Sequence, residues 1–112
     1  MEIMVPFPPS VNQQWRTFNG RLILSDAGRK YRKTIAGFIC HVGPPTKKDL
    51  SVIIEAFAPD NRRRDLDNLL KASLDALTHA GIWLDDSQIK DLRIFWAKEK
   101  GGYLKIKIEE MT

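Results

Sequence analysis

Cysteine and histidine are scarce in this sequence: Cys40 is the only cysteine, and His41 and His79 stand far apart. A single cysteine cannot close a disulfide within the chain, and two separated histidines predict structural roles and no zinc pair. No apolar run approaches the ~20 residues of a membrane span, and no basic-then-apolar leader opens the chain. These absences predict a cytoplasmic protein with no membrane partner.

Sequence motifs of several other kinds of enzyme are also missing. There is no glycine-rich phosphate loop, no HEXXH zinc helix and no Ser/His/Asp set with favourable spacing. A restriction-type motif that begins at Pro59-Asp60 is not completed by an Asp/Glu-x-Lys on the next strand. We therefore expect no organic cofactor and none of these chemistries.

The composition is that of an ordinary globular protein. The 112 residues are 43% hydrophobic and 29% charged, so we expect one domain over residues 1–112. The charge is uneven, because residues 1–48 carry a net charge of +6 and residues 49–112 a net charge of −2. A basic half beside a mildly acidic half suits a protein that grips a polyanion and holds cations, although a solvated basic surface explains it equally well.

The first half of the chain predicts an edge strand over 2–7, a hairpin over 15–24 and a helix from Ser25 to about Val42. Asn19-Gly20 suits the type I′ turn of the hairpin, and Ser25 can cap the helix. Trp15 and Phe18 both lie in this basic hairpin, so a base-stacking role stays open for them beside a core role. Basic residues crowd the first two turns of the helix: Arg29, Lys30, Arg32 and Lys33.

The second half predicts a central strand over 50–58, a helix over 65–80 that ends at Gly81, and strands over 92–97 and 103–109. The core face of this helix is predicted to contain Leu66, Leu70, Ser73 and Leu77. The inward face of the last strand is predicted to contain Leu104, Ile106 and Ile108. The pattern indicates an α/β (α+β) fold, a single compact domain with a small mixed β-sheet and two main helices.

The densest group of chemically useful side chains lies where the central strand leads into the second helix. It consists of Arg62, Arg63, Arg64, Asp65, Asp67 and Lys71. If Asp65 is the N-cap, Asp67 sits in the first turn and Lys71 one turn further on the same face. Asp75 continues this face, and Asp85-Asp86 adds carboxylates from a separate loop.

Carboxylates that converge without histidine or cysteine partners are hard oxygen ligands, which suit Mg²⁺ or Mn²⁺. Phosphodiester hydrolysis uses such a metal to activate water, while a lysine adds positive charge and arginines hold the strand. Each acid also has a structural explanation, as an N-cap, a first-turn acid paired with Lys71, or a turn residue. The residues alone leave the metal site and the structural explanation equally open.

Several segments resemble the RusA family of phage and prophage Holliday-junction resolvases. They are Pro8-Pro9-Ser10-Val11-Asn12, the run Arg62–Lys71, and Gly81-Ile82-Trp83-Leu84-Asp85-Asp86. Their order and spacing follow the family over nearly the whole chain. The hairpin and the loop 43–48 look less like the family norm, which bears on DNA sequence preference and not on the reaction.

The resemblance implies a homodimeric, Mg²⁺-dependent endonuclease that nicks two opposed strands of branched DNA, a four-way junction. It implies that Asp65, Asp67 and Asp86 bind the metal and that Lys71 is the catalytic lysine. The basic pattern predicts that the start of the first helix, which includes Arg32, lines a DNA-binding surface together with the arginine run. The residues predicted to bind DNA are Arg29, Lys30, Lys33, Arg62, Arg63 and Arg64. The alternative is a non-enzymatic basic DNA-binding module in which the acids are caps.

The junction itself favours two subunits. It presents two equivalent scissile phosphates, and one chain has one carboxylate cluster, so paired cuts need two chains. Phe38, Ile39 and Val42 on the first helix can serve a partner subunit as readily as an internal core.

Overall fold

The computed structural model describes residues 1–10, 15–39 and 43–111. Its elements are, in chain order, β1 (Glu2–Pro6), β2 (Trp15–Phe18), β3 (Arg21–Leu24), α1 (Asp26–Phe38), β4 (Leu50–Phe57), α2 (Asp67–Ala80), β5 (Ile89–Trp96) and β6 (Tyr103–Glu110). A short 3-10 turn, Asp86–Gln88, precedes β5. The predictions that concern Val11, Asn12, Cys40, His41 and Val42 lie outside the described residues.

A four-stranded mixed sheet with the order β1-β6-β4-β5 forms the centre of the fold. β4 pairs in parallel with β5 and antiparallel with β6, while β1 pairs antiparallel with β6 at one edge. α2 connects the two parallel strands, as a parallel pair requires a crossover. The predicted mixed sheet, central strand and edge strand are confirmed.

The core lies between one face of this sheet and the two helices. Residues alternate along β4, so that Leu50, Val52, Ile54 and Ala56 are fully buried while the residues between them are not. Leu104, Ile106 and Ile108 of β6 face the same core, as predicted. No helix among the described residues is long and apolar enough to cross a membrane.

Helix α1 begins as predicted and ends early. The side chain of Ser25 accepts a hydrogen bond from the backbone N–H of Gly28 at 3.2 Å, so Ser25 is the N-cap. The helix stops at Phe38 instead of near residue 42, because Ile39 leaves the helical region with φ −123° and ψ 18°. Ile39 is buried in the core, whereas Phe38 is 60% exposed.

Helix α2 begins two residues later than predicted. Asp65 is not its N-cap: Leu66 takes that position without a side-chain hydrogen bond, and the carbonyl of Asp65 accepts from Asn68 N at 3.2 Å. Gly81 ends the helix in the left-handed conformation at φ 88°, as predicted. The buried stripe consists of Leu69, Ala72, Ser73, Ala76 and Leu77. The predicted core residues Leu66 and Leu70 are only partly buried, because the two alanines complete the stripe at positions that the leucine pattern skips.

Candidate active site and nucleic-acid interface

The arginine run between β4 and α2 is organised by Asp60. Its Oδ1 accepts from the backbone N–H of Arg62 at 2.9 Å and forms an ion pair with Arg64 Nη1 at 2.8 Å. The hydrogen bond from Arg64, together with that from Arg62, lowers the pKa of Asp60 from 3.8 to about 2. Asp60 is therefore charged at neutral pH and holds Arg64 in one direction.

An aromatic ring supports Arg64 on another side. The guanidinium carbon lies 5.4 Å from the centroid of the Phe7 ring, within cation–π range, and Phe7 stacks on Trp96 with 6.3 Å between ring centroids. The Arg64 side chain is only 21% exposed, whereas Arg62 is 82% exposed. Arg64 is thus fixed in place, while Arg62 and its exposed neighbour Arg63 extend into solvent.

The first two predicted metal-binding acids lie beside these arginines. Asp65 and Asp67 are both exposed at the start of α2. Asp65 lines a hollow of about 400 Å³ together with Arg63, Arg64 and Asn68. The negative charge of Asp67 in the first turn is favoured by the helix dipole. The structure therefore brings two acids and the arginine run to one end of α2.

One polar stripe continues from this end along α2. Asp67, Lys71 and Asp75 follow each other at four-residue spacing and so share one side of the helix. The Nζ of Lys71 lies 3.4 Å from the Oδ2 of Asp75, which is 18% exposed. The ammonium group of the predicted catalytic lysine is therefore directed towards the C-terminal half of the helix.

The loop after α2 is held in place by Gln88. Its side-chain oxygen accepts from the backbone N–H groups of Leu84 and Asp85, both at 2.9 Å. Its side-chain nitrogen donates to the carbonyl oxygens of Thr46 and Lys48 at 3.0 and 2.8 Å. One glutamine thus ties the acidic loop to the segment that leads into β4.

The two aspartates of this loop differ in what their side chains do. Asp85 accepts from the backbone N–H of Ser87 at 3.3 Å and completes a capping box with Gln88. Hydrogen bonds from Ser87 lower the pKa of Asp85. Asp86 is the first residue of the 3-10 turn and its side chain is exposed. The capping role falls to Asp85, which favours Asp86 as the ligand of the pair.

Asp85 and Asp86 line a second hollow, of about 290 Å³. Its other walls are Arg32 from α1 and, from α2, Asp75, Thr78 and His79. The Nε atom of Arg32 is buried and has no hydrogen-bond partner within the part of the chain that the structure describes. An arginine from α1 therefore faces three acids at the C-terminal half of α2.

The three predicted metal-binding acids of one chain do not meet at one point. Asp65 and Asp86 line different hollows. Asp67 precedes Asp75 of the second hollow by two helical turns, about 12 Å along the axis. Over residues 1–10, 15–39 and 43–111, no three His, Cys, Asp or Glu side chains form a group that could hold a metal ion. The donors suit a hard cation, but one chain keeps them in two places.

The predicted basic residues of α1 divide between two environments. Arg29, Lys30 and Lys33 are exposed, and Arg29 pairs with Asp26 at 3.3 Å. Arg32 is partly buried beside the second hollow. Three of the four cations are therefore placed for contact with a polyanion, and the fourth faces the acids.

The roles of two residues that shape the site were not predicted from the sequence. Gln88 stands three residues after Asp85, which is the spacing of a capping box, so the pattern was there to be found. Asp60 stands two residues before Arg62, the spacing of an Asx turn. Its ion pair with Arg64 depends on the path of the chain between strand and helix, which no local pattern specifies.

An α+β domain with carboxylates and a lysine along one helix, and arginines just before it, has the side chains that phosphodiester hydrolysis uses. The family model described as endodeoxyribonuclease RusA matches residues 6–109 of this chain. The chain belongs to the endodeoxyribonuclease RusA family, as the resemblance in the sequence implied.

Similarity to individual relatives extends over nearly the full length. Crossover junction endodeoxyribonuclease rusA of Enterobacteria phage HK97 is 43% identical over 113 residues, which cover 98% of this chain and 94% of the relative. The protein of the same name from Enterobacteria phage 82 is 45% identical, with 97% and 93% of the two chains covered. The RusA protein of Escherichia coli strain K12 is 44% identical, and the match again covers 97% of this chain and 93% of the relative.

Proposed function

We propose that this protein is a crossover junction endodeoxyribonuclease that resolves four-way DNA junctions by nicking two opposed strands with the help of a divalent cation. The observation that carries the proposal is the full-length similarity to relatives of that name, about 44% identity over 97% of this chain. The matched region, residues 6–109, includes the two acids at the start of α2, the lysine of α2 and the acidic loop. The enzyme acts in the cytoplasm and needs no organic cofactor.

The proposed metal ligands are Asp65, Asp67 and Asp86, which lie in two places in one chain and would be brought together by two subunits. Their carboxylates are hard oxygen donors that fit Mg²⁺, with Mn²⁺ as a substitute. When bound, the cation supplies activation of a water molecule and neutralisation of charge on the phosphate. Asp85 supports this arrangement by capping the 3-10 turn that presents Asp86.

The other polar residues bind and stabilise the DNA strand. The ammonium group of Lys71, held by Asp75, adds positive charge near the pentavalent phosphate. Arg64 is held in place by Asp60 and Phe7 and is therefore preorganised to bind the scissile strand. The remaining cations bind backbone phosphates: Arg29, Lys30, Lys33, Arg62 and Arg63. The working unit is a homodimer, because a four-way junction presents two equivalent scissile phosphates.

The decisive experiment compares cleavage of a labelled four-way junction with that of a linear duplex of the same arm sequence. We expect nicks in the junction with Mg²⁺, none with EDTA, and little cutting of the duplex. Single changes of Asp65, Asp67 or Asp86 to Asn should abolish nicking while junction binding persists, because the basic surface governs binding.

Two control variants make this test specific. Asp85→Asn should still cut, since asparagine is as good a cap as aspartate. Glu109→Gln removes an exposed acid on the far face of the sheet and should also cut normally. Normal cutting by both Asp86→Asn and Asp67→Asn would refute the metal site. A wild-type protein that binds the junction and never cuts it would instead be a DNA-binding module.

A further inference from the structure

The hairpin of β2 and β3 is a two-stranded sheet of its own with two different faces. The register pairs Arg16 with Ile23 and Phe18 with Arg21. Because side chains alternate along a strand, these four residues share one face, while Leu22 lies on the opposite face. One face of the hairpin therefore presents an aromatic ring between two arginines.

This ring is not used to build the core. Phe18 is 55% exposed, and the guanidinium carbon of Arg16 lies 5.6 Å from its ring centroid. Arg16 and Arg21 are exposed as well. Burial of an exposed aromatic side chain against a partner is favourable, and its two arginine neighbours restrict which partner can approach.

The turn holds the ring and the arginines in a defined arrangement. Asn19 and Gly20 have φ values of 51° and 73°, the two positive values that a type I′ turn requires. Phe18 and Arg21 flank this tight turn directly. The turn thus sets which side chains lie beside each other at the tip, and a preorganised arrangement loses less conformational entropy when it binds.

The charge of the hairpin indicates which kind of partner its face binds. Residues 15–24 include Arg16 and Arg21 and no acidic residue. A second copy of this face would bring four arginines together, and such like-charge contact disfavours self-association. A polyanion with exposed aromatic faces, which is what unstacked DNA offers, matches both the charge and the ring.

We propose that the hairpin face, formed by Arg16, Phe18 and Arg21, binds DNA at the branch of the junction. Phe18 stacks on a base, and the two arginines contact neighbouring phosphates. Bases within a regular duplex are already stacked, whereas extrusion costs least where pairing is interrupted, so this contact favours branched over linear DNA. The inference rests on the proposed function, since it takes the junction as the substrate.

The test measures affinity for a four-way junction and for a linear duplex in EDTA, where no strand is cut. Loss of one base–aromatic stack should weaken junction binding by roughly 5- to 100-fold in Phe18→Ala, and Phe18→Trp should restore it. Leu22→Ala is the matched control, because Leu22 is 68% exposed on the other face of the same hairpin. We expect it to bind the junction within about twofold of wild type, as for a residue outside the contact.

Two further readouts locate the contact. A junction with 2-aminopurine at the branch should change its fluorescence on binding wild type and Leu22→Ala, and not on binding Phe18→Ala. Arg16→Ala and Arg21→Ala should each make the negative slope of log affinity against log salt less steep by about 0.9.

Equal junction affinities of Phe18→Ala, Leu22→Ala and wild type would overturn the proposal. A lower thermal midpoint for Phe18→Ala that accounts for its weaker binding would show a structural role and would overturn the proposal. A loss of dimer mass by Phe18→Ala in the absence of DNA would show a subunit contact and would overturn the proposal as well. A different result would contradict the proposed function: wild-type protein that binds the junction in EDTA but does not cut it with Mg²⁺.

Discussion

The ammonium group of Lys71 is directed by the carboxylate of Asp75, one turn further along α2. On an open helix surface such a pair contributes only ~0.3–0.5 kcal/mol to stability. Its proposed importance lies in position, because Asp75, which pairs with the ammonium group of Lys71, also lines the hollow of Asp86. The contact therefore connects the proposed catalytic lysine with the second group of acids.

This contact leads to a prediction about cleavage rates. Lys71→Ala should lower the rate of junction nicking by about 100- to 1000-fold with little change in affinity. Asp75→Asn should lower it by about 10-fold, as for residues that orient a catalytic group. The two losses should not add, because Asp75 acts through Lys71. Single-turnover nicking by the two single variants and the double variant measures this coupling.

Asp75→Glu is the control, since it keeps the charge one methylene further out and should recover part of the rate. A full 10-fold loss from Asp75→Asn in the Lys71→Ala background would show that Asp75 acts elsewhere. A drop of less than about fivefold in Lys71→Ala would reduce Lys71 to a surface pair.

The sequence pattern correctly predicted those features of the helices and strands that depend on a few adjacent residues. The alternation in β4 and β6, the turn at Asn19-Gly20 and the end of α2 at Gly81 each follow from a few adjacent residues. The start of α2 did not follow, because the backbone of Asp65 and the packing of Leu66 decide it. Such contacts depend on how strand and helix meet.

For the candidate site, too, the sequence pattern predicted some features and not others. The identities of its acids, arginines and lysine were predicted from one motif and one loop. Their separation was not, because it depends on the rigid length of α2 between Asp67 and Asp75 and on how Gln88 ties the acidic loop to Thr46. The position of Arg32 among the acids was also beyond prediction, since it requires the packing of α1 on α2.

The basic face of α1 gives a prediction at the scale of one element. Arg29 and Lys33 lie one helical turn apart and are both exposed. If they contact phosphates, the double change to Ala should reduce the slope of log affinity against log salt by about 0.9 for each residue. Equilibrium binding to the junction at a series of salt concentrations measures the slope.

The control for this prediction lies on the far side of the molecule. Lys105 and Lys107 lie on the face of β6 away from the helices, where they pair with Glu2 and Glu109 at 3.3 Å. Their double change to Ala should leave the salt slope unchanged. An equal slope for the Arg29/Lys33 variant and wild type would remove this part of α1 from the DNA interface.

At the scale of the whole molecule, the proposed metal site needs acids that one chain holds apart. Asp67 and the hollow of Asp86 are separated along α2, which is rigid, and Gln88 fixes the acidic loop at both ends. Neither element can close the distance without losing these hydrogen bonds. In the proposed dimer, the first acids of one subunit can instead meet Asp86 of the other. We therefore expect each complete metal site to take carboxylates from two chains.

Mixing of inactive chains tests this expectation. Sedimentation should first show a mass near 26 kDa, twice the 12.8 kDa of one chain. Asp67→Asn and Asp86→Asn chains, each inactive alone, should then regain nicking when they are mixed and allowed to exchange. Half of the dimers are mixed, and each mixed dimer has one site with both changes and one intact site, so roughly a quarter of wild-type nicking should return.

The nicks from this mixture should be single, because no mixed dimer contains two intact sites. A mixture of Asp65→Asn with Asp67→Asn is the matched control: both changes fall in the same group of acids, so every site contains at least one of them and nicking should stay absent. If all three acids of a site came from one chain, both mixtures would stay inactive, since no chain in either carries an intact set. Recovery in the first mixture alone is the result expected of a site shared between two subunits.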